Sequence, residues 1–121
     1  MSRAILVVED QEDSRRIMRD LLTSAGYEVI EAVTGQQGVT AAETHQPVLI
    51  LMDIQLPDFD GYEATRRIKA QPALRPIPII AVTSYALSGD DVKAFDAGCD
   101  AYVSKPFSPR ALLAKIREFL H

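Results

Sequence analysis

At 121 residues, with 13 Lys or Arg, 17 Asp or Glu and a formal net charge of -4, the chain is expected to form one domain spanning residues 1–121. The charge balance argues against a sequence-independent nucleic-acid binder, because phosphate contacts need clustered Lys and Arg and here these are spread over several segments. The single cysteine, Cys99, excludes an internal disulfide and a thiolate metal cage, and reads best as a small residue in a turn or helix end of a protein kept in a reducing cytoplasm.

Five apolar runs alternate with five stretches of helical periodicity, the pattern of a parallel sheet covered on both faces. The first strand is Ala4 to Val8, closed by Glu9 and Asp10. A helix then starts near Asp13 or Ser14, carries Ile17, Leu21 and Leu22 inward, and stops at Gly26, a residue suited to a left-handed C-terminal position. Tyr27 leads into the second strand, Glu28 to Ala32. A weaker helix follows Thr34, with Val39 and Ala42 on its inner face and Pro47 ending the connection. The third strand, Val48 to Met52, ends at Asp53. Asp60 and Glu63 have capping-box spacing for the third helix, whose Ala64 and Ile68 face the sheet. The fourth strand is Pro78 to Val82, with Thr83 after it. Ser88 and Asp91 offer similar capping for the fourth helix, closed by Gly98. The fifth strand, Ala101 to Ser104, precedes Lys105-Pro106. The last helix has Ser108 as cap, Pro109 at its first position, and Leu112, Leu113, Ile116 and Leu120 at packing intervals, and its pattern runs to His121. The second and fifth strands read as the least buried.

Strand carboxyl ends are where ligands bind in an open α/β sheet, so Glu9, Asp10 and Asp53 are expected to meet in one crevice. Carboxylates that close repel one another unless something positive sits among them, and a hard divalent cation such as Mg²⁺ is the usual partner. Thr83 and Lys105 close the fourth and fifth strands and join the same edge. Each residue taken singly has a plainer reading: acids after a strand cap helices, a strand-end Thr reflects β propensity, and a Lys before Pro faces solvent. A nucleophile, a metal pair, a hydroxyl and an ammonium at successive strand ends outweigh those readings together. Other motifs fail. Gly35-Gln36-Gln37-Gly38 lacks the spacing of a dinucleotide fingerprint or P-loop, Asp58-Phe59-Asp60-Gly61 lacks the downstream ligands of a calcium loop and reads as a turn plus helix cap, and His45 and His121 are isolated.

Val7-Val8-Glu9-Asp10, the run from Leu51-Met52-Asp53 through Leu56-Pro57-Asp58-Phe59-Asp60-Gly61, Ala81-Val82-Thr83 and Ser104-Lys105-Pro106-Phe107 stand in one order along the chain. In these motifs the whole chain resembles the receiver domain of two-component response regulators, the CheY-like family. The resemblance implies a doubly wound, flavodoxin-like sheet of strand order 2-1-3-4-5. It further implies that Asp53 accepts a phosphoryl group from a phosphohistidine on a sensor histidine kinase or histidine phosphotransfer protein. Mg²⁺ would be held by Asp10, Asp53 and the backbone carbonyl of Gln55, with Glu9 reaching it directly or through water. Lys105 would pair with Asp53 before transfer and with a phosphoryl oxygen afterwards, and Thr83 would donate its hydroxyl to the phosphoryl group.

In the family, movement of the Thr83 side chain draws in the aromatic residue at the position of Tyr102, changing a face made by the fourth helix, fifth strand and fifth helix. That face would engage a downstream protein target or pair two domains, giving a monomer or weak dimer. The Lys105-Pro106 peptide is implied to be cis, and Gly61 to adopt a backbone conformation closed to other residues. Ser84 replaces a frequent Ala or Gly, and Gln55 and Tyr85 occupy variable positions that affect how water approaches an acyl phosphate. Among receivers, the stretch from Ile50 to Pro57 looks like single-domain regulators of the DivK type, a pattern that receiver modules of hybrid histidine kinases share. A constitutive interaction module without phosphorylation is the alternative from another class, and substrate turnover is not expected. The longest apolar runs are strand-sized, far below the roughly 20 residues a bilayer requires, so a soluble cytoplasmic protein with no membrane or nucleic-acid partner is expected.

Overall fold

A computed structural model describes residues 4–83 and 90–120. Among these, β1 (Ala4–Val8), α1 (Glu12–Ser24), β2 (Glu28–Ala32), α2 (Gly35–His45), β3 (Leu49–Asp53), α3 (Gly61–Lys69), β4 (Ile79–Thr83), α4 (Asp90–Ala97), β5 (Ala101–Ser104) and α5 (Pro109–Phe119) follow in order. The strands form one parallel sheet of order β2-β1-β3-β4-β5, the topology expected of the resemblance. The two edge strands are the less buried ones, as their mixed composition indicates.

Alternation along the central strands builds two cores, because successive side chains leave a strand on opposite faces. Ile5, Val7, Leu49, Leu51, Ile80 and Val82 pack with Met18 and Leu22 of α1 and Leu112 and Ile116 of α5. Leu6, Val8, Ile50, Met52, Ile79 and Ala81 pack with Val39 and Ala42 of α2, Ala64 and Ile68 of α3, and Ala94 of α4. A strand filled with aliphatic residues on both faces belongs in the middle of such a sandwich.

Helix ends follow local chemistry. Thr34 accepts from the Gln37 N–H at the start of α2, Asp60 from the Glu63 N–H at 2.9 Å, and Ser108 from the Ala111 N–H at 3.2 Å. The reciprocal half of the expected capping box is not formed, since Glu63 turns to Arg67 one helical turn on, at 2.9 Å. Gly26 and Gly98 follow α1 and α4 with φ of 92° and 108°, left-handed positions where glycine has no Cβ penalty.

Several boundaries differ from the sequence reading. β3 and β4 each lie one residue later than expected, so Asp53 and Thr83 are the last strand residues and not the first loop residues. The ladder accounts for this, pairing Asp53 with Val82 and Thr83 with Ser104, while Pro78 has no N–H to give and only accepts from Ile50. α1 starts at Glu12 with Gln11 as an N-cap whose side chain makes no capping bond to the helix. Ile17 is not inward, being 57% exposed; the buried row is Met18 and Leu22, four residues apart, which turns Ile17 to the flank. α5 ends at Phe119, two residues short of the expected end. The Ser88 cap, Ser84 and Tyr85 lie outside the described residues.

Candidate functional site

Register brings the functional side chains together. Val8 pairs with Met52 and Asp53 with Val82, so the carboxyl ends of β1, β3 and β4 stop side by side, with Glu9 and Asp10 one and two residues beyond β1. One carboxylate oxygen from each of Glu9, Asp10 and Asp53 lies within 4.8 Å of the others. Asp10, Gln11, Asp53, Gln55, Leu56, Pro57 and Lys105 line a cleft of about 210 Å³ above them. Glu9 is wholly buried and Asp53 is 5% exposed.

Thr83 is buried at the end of β4, and its carbonyl accepts from the Lys105 N–H at 2.6 Å, which ties the fourth strand end to the fifth. The Lys105-Pro106 peptide is cis. Tyr102, in β5, is half-buried and packs against the cluster containing Met52, Ala81 and Ala94. All the side chains named from the sequence therefore reach one sheet edge except Tyr102, which stands two residues back on β5.

The electrostatics differ from the expected pairing. Lys105 Nζ bonds to Glu9 Oε1 and not to Asp53. Glu9 and Asp53 also share a side-chain hydrogen bond, and two buried carboxyls in contact cannot both ionise. Burial first, then the hydrogen bond and charge of Glu9, push the Asp53 carboxyl up to about 8, against the weaker pull of Lys105. Burial acts on Glu9 in the same sense, but the hydrogen bonds from Asp53 and Lys105, the Lys105 charge and the Gln11 N–H together lower it. The ammonium beside Glu9 thus favours its charged form, while burial and Glu9 bias Asp53 toward its neutral form.

Two contacts that the sequence did not flag hold this arrangement. Arg15 of α1 donates to the Glu9 carbonyl at 3.0 Å and is itself fixed by Glu31 of β2 at 3.0 Å. Asp58 accepts from the Gly35 and Gln36 N–H groups at 2.7 and 2.8 Å, tying the β3–α3 loop to α2. A basic residue on an amphipathic helix and an acid in a turn give no local sign of such reach. Gly61 is needed for space and not for a positive φ: a Cβ there would lie 2.2 Å from the Asp53 carbonyl oxygen.

The donor set suits a hard divalent cation, being all oxygen, with three carboxylates converging and the Asp53 carboxyl pushed up by burial and by Glu9.

The family model of the response regulator receiver domain matches residues 5–117. The chain belongs to the response regulator receiver family. It is 42% identical over 120 residues to the polar-differentiation response regulator DivK of Brucella ovis, covering 99% of this chain and 98% of that protein. Among solved structures, the receiver domain of a sensor histidine kinase from Pseudomonas aeruginosa PAO1 is 39% identical, with a TM-score of 0.91 and 98% of each chain covered, and has a magnesium ion coordinated in its active site cleft. A CheY-like receiver domain protein from Methanospirillum hungatei is 37% identical with a TM-score of 0.88, covering 98% of this chain and 93% of that one. As a receiver, this chain is a signalling switch of the CheY-like kind, a family that works with histidine kinases or phosphotransfer proteins and with downstream targets. Among the described residues, no helix is long and apolar enough to cross a membrane.

Proposed function

We propose that this receiver takes a phosphoryl group from a phosphohistidine onto Asp53 in a two-component phosphorelay, and that the acyl phosphate changes its protein-binding face. The observation that carries this reading is the convergence of Glu9, Asp10 and Asp53 at adjacent strand ends beneath a cleft walled by Lys105. An Asp53 oxygen attacks phosphorus in line as the phosphorus–nitrogen bond to the donor imidazole breaks, and the imidazole nitrogen keeps the electron pair. The nucleophile is the carboxylate, so Asp53 must reach the charged form that burial and Glu9 disfavour before transfer.

Asp10, Asp53 and the Gln55 carbonyl would hold Mg²⁺, with Glu9 beside it. When bound, the ion neutralises charge on the phosphoryl oxygens. Lys105, already within the cleft, moves its ammonium from Glu9 to a phosphoryl oxygen, and the Thr83 hydroxyl donates to another. Inward movement of Thr83 vacates space that Tyr102 fills, which biases the packing of α4, β5 and α5. Val92 and Phe95 stand exposed on α4, apolar surface through which a downstream target, or a second copy in a weak dimer, would engage. An apolar groove of about 460 Å³ lined by Ile17, Pro106 and Phe107 meets the acidic cleft at Lys105, and supports docking of the phosphohistidine donor there.

Acetyl phosphate with Mg²⁺ should add one phosphoryl group by intact mass, and Asp53→Asn should lower that by at least about a hundredfold. Undiminished labelling of the variant would refute the assignment. The identity with a kinase receiver supports a second reading, a receiver module within a hybrid kinase; rapid onward transfer to a phosphotransfer histidine, with no phosphorylation-dependent target, distinguishes it.

A further inference from the structure

We propose that Asp58 is a positioning residue for the acidic site, fixing the far end of the loop that forms one wall of the cleft. This rests on reading the cleft as a Mg²⁺ and phosphoryl site. The loop leaves β3 at Asp53 and enters α3 at Gly61. Its base is closed by the Gly61 N–H on the Ile54 carbonyl at 2.8 Å, and its other end is held by Asp58, whose two carboxylate oxygens accept from Gly35 and Gln36 of α2.

Phe59 reinforces the attachment. A Cβ at Gly35 would lie 2.7 Å from the Phe59 ring, so the first turn of α2 rests against that ring, and Arg67 of α3 covers it at 3.9 Å from the centroid. Between the two fixed ends only Gln55, Leu56 and Pro57 bridge, and these three residues line the cleft. Gln55 is exposed and its N–H reaches Asp53 Oδ1 at only 3.4 Å, so the bridge gains little hold from within the site. Its shape is set by its ends. Releasing Asp58 lengthens the free segment and lets the Gln55 carbonyl wander from the position a metal ion needs.

Asp58 also caps α2, and a purely structural role would lower stability without touching the site. Thr34→Ala separates the two, because Thr34 caps the same helix at Gln37 from the residue just before α2 and, among the described residues, has no bond to the loop. Calorimetric titration with Mg²⁺ alone should show affinity lowered about tenfold in Asp58→Ala, partly restored in Asp58→Asn, and unchanged in Thr34→Ala. Without any metal, amide hydrogen exchange at Gln55 and Leu56 should be several-fold faster in Asp58→Ala and unaltered in Thr34→Ala. Parental affinity and exchange in Asp58→Ala, or equal losses in Thr34→Ala, would overturn the positioning role while leaving the proposed function intact. Failure of the parent chain itself to bind Mg²⁺ would overturn both.

Discussion

Asp53 sits where burial and the neighbouring Glu9 favour its neutral form, while the proposed chemistry needs its charged form. Its carboxyl is raised from 3.8 to about 8. A raised acid stabilises the folded state fully below its unfolded value, and that contribution is lost as pH climbs through the folded value. Glu9 works in the opposite sense, since its lowered pKa gives a contribution present above 4.5 and lost as pH falls. Between about pH 5 and about pH 8 the Asp53 effect governs, so in chelator the stability contributed by this site declines across that window. Asp53→Asn should remove the decline and leave the protein more stable than the parent at about pH 8, by roughly 2–4 kcal/mol. Chemical denaturation at both pH values measures this, and a variant no more stable than the parent at the higher pH contradicts it. The positions of the three acids were legible because apolar runs announce the strands that they close. Which carboxyl the Lys105 ammonium would choose was not, because that depends on which of two touching acids keeps its proton.

At the scale of elements, the loop between β3 and α3 is built on close approach. Adding a Cβ at Gly61 sets it 2.2 Å from a backbone oxygen that cannot yield without moving Asp53, whereas a Cβ at Gly26 meets nothing within 4 Å and suffers only from its left-handed φ. Gly61→Ala should therefore cost about 2–4 kcal/mol and Gly26→Ala about 1 kcal/mol, read from denaturant midpoints. Equal losses would show that conformation and not contact decides at Gly61. The helices announced themselves by local caps such as Thr34, Asp60 and Ser108, whose partners lie three residues away. Asp58 does the same for α2 from more than twenty residues away, a distance at which no spacing rule applies. Ile17 falls outside the buried row for a related reason: Met18 and Ile17 are both apolar and adjacent, and only packing on the sheet shows that the Met18–Leu22 row faces inward.

Across the whole molecule, the parallel sheet converts four separate strand ends into one site. β1, β3 and β4 lie side by side, so residues far apart in sequence meet without any long loop, and β5 brings Lys105 to the same edge beside Thr83. The same sheet carries the proposed signal outward, because Thr83 and Tyr102 belong to neighbouring strands whose other ends are fixed in the core. The most direct test of the central claim is to locate the acyl phosphate. After phosphorylation with acetyl phosphate and Mg²⁺, borohydride reduces an aspartyl phosphate to homoserine, which peptide sequencing by mass spectrometry assigns to a position. Homoserine at position 53 alone is the predicted result; its appearance at position 10 instead, or its absence from a chain that has gained a phosphoryl group, would contradict the account.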